Sequence, residues 1–152
     1  MRAFIAMILV ICVLPSVSAQ EKPIQLADLH SWRGDWQKKI NEAAENVVAV
    51  EAIQMKMKDE FKAKYANKPI VGTATLFNVT RIGESISVGV RFGKEQETFF
   101  KVMCDPKTND VTALRKNDET IVQGTIGSIV ENPFLAAKDA DVHIIKGKVT
   151  KK

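Results

Sequence analysis

Residues 70–82 read IVGTATLFNVTRI, residues 85–92 SISVGVRF, residues 98–105 TFFKVMCD, residues 119–130 ETIVQGTIGSIV and residues 140–145 ADVHII. In each run apolar residues alternate with polar or small ones, the pattern of a strand with one buried face. In 85–92, Ile86, Val88, Val90 and Phe92 share one face, and Ser85, Ser87, Gly89 and Arg91 share the other. In 98–105, Phe100, Val102 and Cys104 alternate with Phe99, Lys101 and Met103, so both faces carry apolar groups. Glycines within several of these runs supply the bends that a small barrel needs to close. Five strands, with a long polar segment only between the third and fourth, predict a closed β-barrel over residues 70–145.

Ahead of the barrel, apolar residues recur at Trp36, Ile40, Ala43, Val47, Val50, Met57 and Phe61. That spacing of three and four predicts one amphipathic helix over 35–67, capped by Ser31 or Asp35 and ended by Asn67-Lys68-Pro69. A continuous helix of about 30 residues is roughly 45 Å long, more than a small barrel can cover. Two arrangements follow. Residues 47–65 dock on the barrel and the rest folds back, or Trp36, Ile40 and Val47 form an exposed stripe for a partner. Residues 20–34, with Pro23 and no clear period, read as a linker.

The chain starts with Met1-Arg2, an apolar run from Ala3 to Leu14, and Pro15-Ser16-Val17-Ser18-Ala19. A positive start, a short apolar middle and small residues before a cut describe a secretory signal peptide, expected to be removed after Ala19. The mature protein is then periplasmic or secreted and carries no transmembrane segment. Removal of residues 1–19 takes Cys12 with it and leaves Cys104 as the one cysteine, so no internal disulfide can form. Inside an apolar strand, Cys104 is read as a small buried hydrophobe.

Charge is unevenly spread. Residues 70–145 hold eight Lys or Arg against ten Asp or Glu, a net of −2, whereas residues 146–152 read as a basic tail with four lysines. No spacing characteristic of a catalytic, metal or cofactor site is present. His143 reads as a packed or edge residue, and Asp139 and Asp141 beside it are a weak cation pair at most. Asn78-Val79-Thr80 satisfies a glycosylation sequon.

The run from Tyr65 to Thr75, YANKPIVGTAT, resembles the start of exported OB-fold domains of the tRNA-anticodon-binding-like family. Val102-Met103-Cys104-Asp105 and the run Leu114 to Gly127 are similar to that family's third strand and its glycine-bearing fourth strand. Lys116-Asn117-Asp118 stands where the family has a glycine-centred turn. The resemblance covers about residues 65–145. It implies an α+β, mainly β chain: a five-stranded OB-type barrel preceded by a long amphipathic helix.

OB folds use the face of their second and third strands for ligands. Here that face holds Arg91, Phe99, Lys101 and Met103. One outward aromatic and a net-negative barrel argue against an oligonucleotide track, which needs cations and stacking rings. The leading expectation is an exported, non-enzymatic module that contacts a protein or cell-envelope component through this face or through Trp36, Ile40 and Val47. The alternative is a nucleic-acid or polyanion binder.

Overall fold

The computed structural model describes residues 21–94, 97–129 and 142–152. The expected signal peptide, Cys12, Asp139 and Asp141 lie outside these residues. Strand β1 (Ile24–Gln25) leads into helix α1 (Leu26–Glu42), and helix α2 (Val47–Lys64) follows. Five long strands complete the chain: β2 (Pro69–Ile82), β3 (Ser85–Phe92), β4 (Thr98–Cys104), β5 (Glu119–Ile129) and β6 (Val142–Lys151).

β2, β3 and β4 form an antiparallel meander. β6 then pairs with β4 in parallel and with β5 antiparallel. β5 returns to β2 from Pro69↔Thr125 to Thr75↔Glu119 and closes the ring. This strand order, with one parallel pair inside an otherwise antiparallel barrel, is the OB-type fold. The alternation seen in the sequence fills its interior: Ile70, Leu76, Val88, Val90, Phe100, Val102, Val122, Ile126, Val142, Ile144 and Val149 are buried. Cys104 joins them as a free, buried thiol.

Expectations about the flanks are corrected. The helix over 35–67 is two helices, because Asn46 turns its side chain onto the Ala49 N–H at 3.1 Å and caps a new one. Residues 26–34, expected as linker, are the first half of α1 and contribute Leu26, Leu29 and Trp32 to the core. The part that docks on the barrel is therefore α1, not residues 47–65. Leu26 lies so close over Gly72 that a Cβ there would stand 2.8 Å from the Leu26 Cβ. His30 meets the Thr98 hydroxyl at 2.7 Å and sets its ring edge-on to Phe92. α2 packs back on α1 through Trp32, whose ring contacts Phe61 and Tyr65 while its Nε1–H donates to Glu60 Oε1 at 2.8 Å.

Residues 146–151, expected as a loose basic tail, are the second half of β6, paired with β5 as far as Thr120↔Lys151. Beyond Gly147 the β4 pairing ends, and Asn109 serves β6 instead by accepting the Val149 N–H at 3.0 Å.

Candidate functional site

The outer face of β2, β3 and β4 is built in cross-strand rows. Thr75, Arg91 and Phe99 form one, Asn78, Gly89 and Lys101 the next, and Thr80, Ser87 and Met103 the third. The structure thus brings Arg91, Phe99, Lys101 and Met103 together on one surface. Residues spaced two apart along a strand have no other choice once the opposite face is buried.

Phe77 is the addition to the expected set. Register slips between Leu76 and Asn78, so Phe77 is the extra residue of a bulge without a partner on β3. It stands 40% exposed, and its ring meets that of Phe99 edge to face with centroids 5.6 Å apart. The face therefore carries two aromatic rings side by side, not one. An outward Phe in the exposed half of an otherwise alternating strand was the available signal.

Gly89 makes room for Asn78. An added Cβ there would stand 2.2 Å from Asn78 Oδ1, so the Asn78 amide occupies the space a side chain would take.

Cations frame the rings. Lys116 Nζ lies 5.8 Å from the centre of the Phe77 ring. Arg91 is held flat by two acceptors, Glu97 Oε1 at 3.1 Å and Asn117 Oδ1 at 3.3 Å. Asn117 sits at φ 72°, a left-handed conformation that Asn tolerates better than most residues. That lets the Lys116-Asn117-Asp118 turn close without a glycine. It also lets the turn hand Lys116 and Asn117 to the face. His143 lies beside Lys101 in the parallel register and meets Ser128 Oγ at 3.3 Å.

The helix residues separate. Trp36 and Ile40 are buried in the core, and Val47, on the other helix, is 69% exposed. They form no shared partner-binding stripe, because the chain turns between them at 43–46 and α1 spends its apolar face on the barrel and α2. Among the described residues, no three His, Cys, Asp or Glu side chains are placed to hold a metal ion, and no helix is long and apolar enough to cross a membrane.

No family model matches the chain, and no curated protein matches it significantly. Solved structures resemble its barrel. An aspartyl-tRNA synthetase from Entamoeba histolytica is 20% identical over 62% of this chain and 20% of its own, with a TM-score of 0.42. An asparaginyl-tRNA synthetase from Pyrococcus horikoshii is 16% identical over 61% of this chain and 22% of its own, with a TM-score of 0.40. An OBody bound to hen egg-white lysozyme is 14% identical over 57% of this chain and 81% of its own, with a TM-score of 0.41. The matched region spans about a fifth of the synthetases' length. The fold assignment rests on the strand order and the closure of β5 on β2.

Proposed function

We propose that this chain is an exported, non-enzymatic OB-fold module that holds single-stranded nucleic acid across the outer face of β2, β3 and β4. The observation that carries the reading is the Phe77–Phe99 pair framed by Lys116, Lys101 and Arg91. Unstacked bases lie on aromatic rings while cations take the phosphates, and neither contact requires a particular base.

The charge count that argued against this ligand assigned residues to the wrong neighbours. Lys151 bridges to Asp118 at 3.2 Å and Lys152 to Glu119 at 3.1 Å, so the two lysines offset two of the barrel's own carboxylates. Counted from Ile70 to Lys152, through the end of β6, the net charge is +2. Export rests on the leader at residues 1–19, and sequencing the N-terminus of the protein recovered outside the cell tests it.

Fluorescence anisotropy with labelled single-stranded DNA and RNA decides the ligand. Saturable binding is expected, with the logarithm of affinity falling linearly with the logarithm of salt. Absence of binding at low salt would overturn the reading.

A second reading, contact with a protein or envelope component, is favoured by Val47, Val48 and Met55. These stand 69%, 75% and 68% exposed on α2. A pull-down from native envelope that is lost on changing these three residues to Ser, and kept on changing Phe77 and Phe99, would support it.

A further inference from the structure

Beyond Met103 the same face runs into a cleft of about 630 Å³ where the β2–β3 turn, the end of β4 and the middle of β6 converge. Arg81, Lys107 and Lys146 line it, one from each of these three places, with the Ser85 hydroxyl between them. All three cations are exposed, and among the described residues none is paired with a carboxylate. Two carboxylates share the cleft, Glu84 and Asp105. Asp105 Oδ1 accepts the Lys107 backbone N–H at 2.8 Å. Arg81 spends only its Nε, on the Gly83 carbonyl at 3.3 Å. Lys146 is held at φ 50°, a left-handed conformation disfavoured for a lysine. With Glu84 and Asp105 counted against them, the three cations leave the cleft with a net positive charge, which favours an anion there.

We propose that this cleft is a phosphate-binding subsite. It extends the strand-binding reading above: the six steps from Phe99 to Asp105 span about 20 Å, so a strand stacked on Phe77 and Phe99 reaches the cleft with a phosphate a few nucleotides away. The phosphate oxygens accept from the Arg81 guanidinium, the two ammonium groups and the Ser85 hydroxyl.

The test separates the cleft from the face. NMR titration of the full chain with tripolyphosphate is expected to move the amides of Arg81, Ser85, Lys107 and Lys146 saturably. Lys107→Gln with Lys146→Asn, the latter chosen because Asn accepts the left-handed backbone, should weaken that binding roughly tenfold or more. Lys148→Gln, an exposed lysine elsewhere on β6, should not. Uniform shifts without saturation, or equal affinity in the double variant, would overturn the proposal. With oligonucleotide, the double variant should lower the slope of log affinity against log salt by about 0.7, the share of one phosphate contact on a single strand. An unchanged slope would remove the cleft from the strand's path and overturn the proposal as stated. Binding of tripolyphosphate without any binding of oligonucleotide would defeat the strand reading and leave the phosphate subsite standing.

Discussion

Phe77 and Phe99 touch across β3, although they belong to strands that are not neighbours in the barrel. Strands two apart are about 9–10 Å apart, a gap that two aromatic side chains reaching toward each other can close. This contact makes the surface an aromatic platform.

Changing Phe77 or Phe99 to Ala should therefore weaken single-strand binding by about 1–3 kcal/mol each and leave the salt slope nearly unchanged. The loss should not be additive, because each ring orients the other. Anisotropy titrations of both single variants and the double variant measure this, with circular dichroism confirming the fold.

Gly72→Ala should loosen α1 from the barrel. The new methyl would meet Leu26 Cβ, which is fixed to the helix backbone and cannot swing aside. Overpacking of this kind costs about 1–3 kcal/mol. A lower urea midpoint, together with a red shift in Trp32 and Trp36 emission before global unfolding, is the expected result.

The helix hairpin supplies a contrast. Ile40 is 1% exposed, and Ile40→Ala should cost about 2–5 kcal/mol. Val47→Ala, at the exposed start of α2, should stay within about 0.5 kcal/mol. Equal losses at the two positions in thermal melts would contradict the packing described for α1 and α2.

Acid should destabilise the fold through identifiable carboxylates. The Lys64 ammonium, and then the Trp32 N–H, hold Glu60 below its ordinary 4.5. The Arg115 backbone N–H, and then Lys151, hold Asp118 below 3.8. A carboxyl depressed by folding stabilises above its unfolded pKa and loses that contribution as pH falls through the folded value. Melting temperature should hold steady from about pH 7 to about pH 5 and decline below about pH 4.5. Glu60→Gln and Asp118→Asn should each be less stable at neutral pH and show a shallower acid decline.

Burial pushes the Cys104 thiol up to about 11. Near pH 8 it stays protonated and enclosed, and thiolate is the reactive form. Ellman's reagent should leave it untouched in the native chain and react stoichiometrically in denaturant. Rapid reaction without denaturant would show that the β4–β6 seam opens.

Much of this was legible in local pattern, since strand alternation depends only on neighbouring residues. The five strands, the buried faces of Val88, Val90, Phe100 and Val102, the enclosure of Cys104 and the outward set Arg91, Phe99, Lys101 and Met103 are determined by sequence period alone. Three features were decided only in three dimensions. Phe77 joined the site because its contact with Phe99 links two strands that periodicity treats one at a time. The helix divided at Asn46 because a side-chain cap offset the loss of backbone hydrogen bonds where no Gly or Pro marked a break, and Trp36 and Ile40 went inward with α1. Lys151 and Lys152 changed the charge of the barrel because β6 carried them back beside Asp118 and Glu119, more than thirty residues away in the chain. Periodicity describes which way a residue faces. Only closure of the barrel decides what it faces.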